Sequence, residues 1–156
     1  WKSQKLFRNI LLDTVVQNYF NDNSKGIAPY IGRIYQNQPR AYLRTMDDDA
    51  GTMSSWFVMR SIGLSPANIG TPIYYLTAPI FKKVTIDYPN GKKFEIEVAN
   101  YHKDHFYIQS ATLNGKPLYQ NWLRHEDMIK GGKLVIKTSA IPNTNWGTQT
   151  PFVTDN

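Results

Sequence analysis

The sequence has 156 residues, of which 41% are hydrophobic and 13% aromatic, enough apolar side chain for one proper core or two small ones and too much for a disordered chain. It contains no run of eighteen apolar residues and no basic-then-apolar leader, so no membrane span is expected within it, and the absence of cysteine excludes disulfides, thiolate nucleophiles and cysteine-held zinc. The net charge of +6 would point to nucleic acid if Lys and Arg gathered on one surface, but Lys2, Lys5, Arg8, Lys82, Lys83, Lys92, Lys93, Lys130 and Lys133 are scattered, mostly beside turns, as on a solvated surface.

In chain order, Leu6, Phe7, Ile10, Leu11, Val15, Tyr19 and Phe20 recur at three- and four-residue spacing, which predicts an amphipathic helix over residues 3–20 with Ser3 as its cap. Its apolar face is wider than one further helix covers, so another neighbour is expected. Turn residues 21–26 end it. Residues 27–43 show no clear periodicity and read as a long ordered loop, whose Tyr30, Tyr35, Gln36, Asn37, Gln38, Arg40 and Tyr42 suit sugar binding or hydrogen bonding within the loop itself. Met53, Trp56, Phe57, Met59 and Ile62 predict a second helix over residues 51–64, stopped by Gly63 and Pro66.

Beyond residue 70 the pattern changes to alternation. Strands are expected at residues 73–76 and 83–88. Pro89-Asn90-Gly91 is a hairpin turn into residues 93–99, where Phe94, Ile96 and Val98 alternate with Lys93, Glu95 and Glu97. Further strands are expected at residues 106–113, 116–119 and 133–138, with a short helical turn at 122–129 and an irregular tail after Ala140. The expected fold class is α+β. Two helices and a long loop occupy residues 1–69, and six or seven antiparallel strands forming a small sandwich occupy residues 70–156.

The chemistry concentrates at Asp47, Asp48 and Asp49, three adjacent carboxylates ahead of the second helix. Close like charges raise at least one pKa or demand a cation or water. Such a cluster also suits the positive end of a helix as a plain cap, with Asp49 at or just before the first turn. For inverting glycoside hydrolysis a carboxylate base and a carboxylic acid lie about 6.5–9.5 Å apart on opposite faces of the sugar. Adjacent aspartates cannot bracket a sugar this way, so an acid must come from elsewhere. Glu95 and Glu97 alternate outward on a hairpin and Glu126 sits beside a turn, which leaves no partner acid in this chain. His102, His105 and His125 flank turns and lack the spacing of a metal pair. Residues from Asp47 onward lack the alternating ligands of a calcium loop, Ser54 and Ser55 lack a nucleophile elbow, and no phosphate loop occurs.

Residues 47–57 (Asp-Asp-Asp-Ala-Gly-Thr-Met-Ser-Ser-Trp-Phe), with Gly63, Leu64 and Pro66, resemble a known pattern when joined to Lys83-Val-Thr-Ile86 and Pro89-Asn-Gly-Lys92. Residues 107–118 (Tyr-Ile-Gln-Ser-Ala-Thr-Leu-Asn-Gly-Lys-Pro-Leu) extend it, as do Trp122-Leu123, His125-Glu126-Asp127, Gly131-Gly132, Leu134-Val135 and the opening Trp1 to Gln4. Together they resemble the C-terminal end of glycoside hydrolase family 92 over nearly the whole chain except residues 22–44. The resemblance implies a calcium-dependent, inverting, exo-acting α-mannosidase, with α-1,2 linkages the expected target in N-glycans or mannans. It further implies a periplasmic or extracellular location, helices from the end of an (α/α)6 barrel, and a β-rich C-terminal segment. Asp49 matches the general base that activates water and Asp47 the acidic residue that helps hold it, while Asp48 falls at an acidic or variable position. The general acid and much of the calcium site are implied to lie upstream, so the upstream part of the same enzyme is an expected partner and the chain alone is expected to be inactive. Met46 stands where the family usually has glycine, Thr52 where it favours Gln or Glu, and residues 22–44 exceed the common loop length. These departures bear on specificity. The rival readings are a non-catalytic carbohydrate-binding module and an interaction module.

Overall fold

The computed structural model describes residues 1–12, 18–20, 31–33, 51–68 and 70–149. The elements, in order, are α1 (Lys2–Leu12), β1 (Asn18–Phe20), β2 (Ile31–Arg33), α2 (Thr52–Ser61), β3 (Leu64–Pro66), β4 (Ile73–Leu76), β5 (Lys83–Asp87), β6 (Lys93–Val98), β7 (Tyr107–Leu113), β8 (Lys116–Leu118), β9 (Trp122–Arg124), α3 (His125–Ile129) and β10 (Gly132–Ser139).

The alternation of apolar and charged residues in β6 is physically realised. Phe94, Ile96 and Val98 are buried, whereas Lys93 faces solvent and Glu95 and Glu97 lie half-open on the other face. Strand side chains alternate across the sheet, so one face carries the core and the other carries charge. Tyr88 N–H donates to Lys92 O at 2.9 Å across the Pro89-Asn90-Gly91 turn, and Asn90 Nδ2 ties the turn to Ile129 O at 3.0 Å. β5, β6, β10, β7 and β8 form a five-stranded sheet in that order, and β3, β4 and β9 form a three-stranded one. Their inner faces share one core that includes Leu64, Leu76, Phe94, Ile96, Ile108, Leu123, Leu134 and Ile136, with Met128 of α3 packed among them.

Several expectations are corrected. The helix expected over residues 3–20 spans Lys2–Leu12, starting one residue ahead of Ser3, and residues 18–20 pair as strand with β2. β2 itself lies within the stretch expected as loop. The sheet is not wholly antiparallel, because β10 runs parallel to β6, with Leu134 opposite Ile96 and Ile136 opposite Val98. A parallel pair needs a long crossover, and the whole of β7 to α3 intervenes between the two strands. The expected helical turn at residues 122–129 divides into β9, which pairs with β4, and α3. The sheet also begins ahead of residue 70, since Leu64 in β3 pairs with Leu76 and is buried.

Candidate active site

Asp47, Asp48 and Asp49, the residues singled out for chemistry, lie outside the described residues, as do Met46 and the Tyr-rich stretch apart from residues 31–33. The described site therefore begins at Gly51, two residues after Asp49. Gly51 has φ 83°, a left-handed conformation that glycine adopts freely, and an added Cβ would meet nothing within 4 Å. The requirement there is conformational and not a matter of space. Ser55 N–H donates to Gly51 O at 2.9 Å, closing the first turn of α2. The positive dipole end of α2 thus follows directly after the three carboxylates in the chain.

α2 is fixed at its other end. Ile62 N–H donates to Val58 O and Gly63 N–H to Arg60 O, each at 3.1 Å, and Gly63 turns the chain into β3 with φ 88°. A Cβ on Gly63 would fall 2.7 Å from Thr77 O and 2.8 Å from Pro79 Cγ, so here only glycine fits. Thr77 N–H donates to Gly63 O at 2.9 Å, and Ile80 N–H to Ser61 O at 3.0 Å. Residues 77–80 are therefore the seat of the C-terminal end of α2.

Between the helices, the rings of Phe7 and Trp56 meet edge-on with centroids 6.4 Å apart. The Arg60 guanidinium lies 3.9 Å over the Phe7 ring and 5.9 Å from that of Trp56. Desolvation by burial lowers the Arg60 pKa, and its Nη1 is buried without a hydrogen-bond partner. The cation is held mainly against aromatic faces, an arrangement worth about 0.5–2 kcal/mol.

α1 is fastened to the sheets by a stripe at three- and four-residue spacing. The Trp1 ring packs edge-on against Tyr107 at 6.5 Å, Gln4 Oε1 accepts from Ile108 N–H at 2.8 Å, and Arg8 reaches two carbonyls. The β7–β10 register shifts between Lys137 and Thr138, opposite Ile108. Gln4 thus supplies the acceptor at an irregular point of the ladder. Arg8 is 7% exposed; its Nη1 donates to Pro79 O at 3.3 Å and its Nη2 to Lys103 O at 2.7 Å. Sequence reading had placed Arg8 among scattered surface cations and Leu6 on the apolar face, whereas Leu6 is exposed and Arg8 buried. The stripe of Trp1, Gln4, Arg8 and Leu11 is the signal that would have found it.

Two of the three glutamates excluded as acids are occupied elsewhere. Glu95 pairs with Lys83 and Glu97 with Lys133, both at 2.7 Å, and Glu126 is exposed in the first turn of α3. Asp87 pairs with Lys93 at 3.0 Å, so these surface lysines alternate with carboxylates. His102 is exposed beside His105, with ring centroids 4.8 Å apart. His125 is instead half-buried at the start of α3, its Nδ1 3.3 Å from the Tyr74 hydroxyl. Among the described residues no three His, Asp or Glu side chains come together to hold a metal ion. No described helix is long and apolar enough to cross a membrane.

Known proteins are similar to this chain in sequence and in fold. A curated protein of Arthroderma benhamiae described as an uncharacterized secreted glycosidase is 33% identical over 138 residues, 86% of this chain and 16% of its own. Among solved structures, the family GH92 glycosyl hydrolase ccman5 superposes with a TM-score of 0.77 at 31% identity, over 96% of this chain and 20% of its own. An inverting mannosidase of family GH92 from Bacteroides thetaiotaomicron gives 0.70 at 34% identity, over 96% and 17%. An α-mannosidase of the same bacterium, solved with mannoimidazole, gives 0.74 at 28% identity, again over 96% and 17%. The chain spans a fifth or less of the length of each of these relatives. Residues 4–140 match the family model described as the Glycosyl hydrolase family 92 catalytic domain, and with this match over most of its length the chain belongs to glycosyl hydrolase family 92.

Proposed function

We propose that this chain is the C-terminal part of an inverting exo-α-mannosidase acting on mannose-containing glycans, with Asp49 as general base and Asp47 helping to hold the water. The observation that carries the reading is the placement of α2. The helix starts at a glycine whose conformation turns the chain two residues after Asp49, and it is seated at its far end on the sheet. The superposition on family GH92 mannosidases over nearly the whole chain supports the same reading.

In the proposed reaction Asp49 takes a proton from water as the water oxygen attacks the anomeric carbon. The bond to the leaving oxygen breaks, that oxygen receives a proton from an acid on the opposite face, and the anomeric configuration inverts. The acid comes from outside this chain, because Glu95 and Glu97 are engaged with lysines and Glu126 lies on α3. The proposal includes the end of an (α/α)6 barrel for the N-terminal helices, a preference for α-1,2 linkages and an exported location, which the secreted description of the fungal relative supports. It also includes a dependence on calcium, with most of the ligands coming from upstream of this chain.

The test is Asp49→Asn in the enzyme that carries this chain, assayed by mannose release from α-1,2-mannobiose with and without a calcium chelator. Turnover is expected to fall by about 10²-fold or more, in line with removal of a general base, with the fold retained. The chain by itself is expected to release no mannose. Near-normal turnover of the variant, or calcium-dependent mannose release by the chain alone, would overturn the proposal.

A further inference from the structure

We infer that Arg8 is a positioning residue for the reaction, setting the placement of α2 and through it of the proposed base Asp49; this rests on the function proposed above. One guanidinium joins three parts of the molecule. From α1, Arg8 donates to Pro79 O in the segment that seats the C-terminal end of α2, and to Lys103 O in the turn ahead of β7. Tyr101 Oη donates to Ile80 O at 2.7 Å, so the same turn grips the same segment a second time. The residue before Arg8, Phe7, touches α2 directly through Trp56 and Arg60. Arg8 therefore fixes both the floor beneath α2 and the helix that leans on its side.

Its burial gives the arrangement its stiffness. A guanidinium that is almost wholly buried holds its place only while its donors are satisfied, and both acceptors are backbone carbonyls of distant segments. α2 has ten residues, so its axis is about 15 Å long. A tilt of about 5° at its seat moves its N-terminal end by roughly 1 Å. A misplacement of that size at a reacting group costs on the order of 10²-fold in rate. Asp49 stands two residues before Gly51, the N-cap at which that end begins.

The experiment compares Arg8→Met, which keeps the apolar stem and removes the donors, with Arg8→Lys, which keeps the charge and part of the donor set. Both are made in the enzyme that carries this chain and assayed on mannobiose well below each variant's melting temperature. We expect kcat per folded molecule to fall about 10- to 100-fold for Arg8→Met with KM within about threefold, Arg8→Lys lying between it and the parent. The acid limb of the kcat/KM profile is expected to move as the base leaves its surroundings. A merely structural role lowers the melting temperature and leaves kcat per folded molecule and the pH profile in place, and that result would overturn the inference. Should both variants lose the fold, Phe7→Leu loosens the same seat from the side of α2 and is expected to give the same split; an unchanged kcat there overturns it. Asp49→Asn separates the two readings. If that variant is inactive while the Arg8 variants turn over normally, only the positioning role falls, and if it is active the assignment of the base falls first.

Discussion

Lys133 Nζ lies 2.7 Å from a Glu97 carboxylate oxygen across the parallel pair β6–β10, on the solvent face of the sheet. The hydrogen bond to Lys133, followed by the charge of that ammonium, holds the Glu97 carboxyl below its usual 4.5, with Lys83 and Lys82 adding to the pull. The same hydrogen bond and charge raise Lys133 above its usual 10.5. The depressed carboxylate contributes stability that is present above pH 4.5 and lost as pH falls through its lower folded value. The raised ammonium contributes stability that is present below pH 10.5 and lost as pH rises through its higher folded value. In a carboxyl NMR titration, Lys133→Gln is expected to move the Glu97 midpoint upward, towards 4.5, and an unchanged midpoint would show that the pair is not formed in solution. At this scale the sequence was readable where alternation decides exposure, as for Glu95 and Glu97. It was not readable at Arg8, because a charge reads as surface until two distant carbonyls, Pro79 O and Lys103 O, are brought to it.

Among the elements, β10 lies at the centre of the five-stranded sheet, with Leu134 opposite both Ile96 of β6 and Leu113 of β7. Leu134 is fully buried and Lys137, three residues on, is exposed. Leu134→Ala is expected to cost about 2–5 kcal/mol through lost burial and the cavity left behind. Lys137→Ala is expected to stay within about 0.5 kcal/mol. Urea unfolding of both variants checks this, and equal costs would mean that the strand is not buried as described. Local pattern had predicted that residues 133–138 form a strand with one face inward, since a period of two fixes the face. It carries no information about the neighbour, which is why the parallel pairing with β6 was illegible. β3 escaped for a related reason. Pro66 was read as a stop, yet a proline without a ladder donor is tolerated on an edge strand, and β3 is an edge. Tyr19 and Phe20 continue a helical spacing but are also strand formers, and pairing with residues 31 and 32 decides the matter.

On the scale of the molecule, the two helices that lead to the proposed site leave apolar side chains uncovered. Leu6, Leu12, Val58 and Phe57 are 56%, 50%, 55% and 41% exposed. Scattered surface apolar residues need no explanation, but these four lie on α1 and α2, and the relatives compared above are about five times its length. The wide apolar face legible in the sequence called for a neighbour beyond one helix, and the occupant proposed here is the upstream part of the same protein. The consequence is a contrast between two settings. In the chain alone, Leu6→Glu and Val58→Glu are expected to leave stability within about 0.5 kcal/mol, as surface changes do, and to reduce self-association in sedimentation. In the enzyme that carries the chain, each charge is forced against apolar surface. The same substitutions are then expected to cost about 2 kcal/mol or more, read as a lowered urea midpoint with activity lost in step. Equal effects in the two settings would show that this face of α1 and α2 remains in water, and the neighbour would have to sit elsewhere.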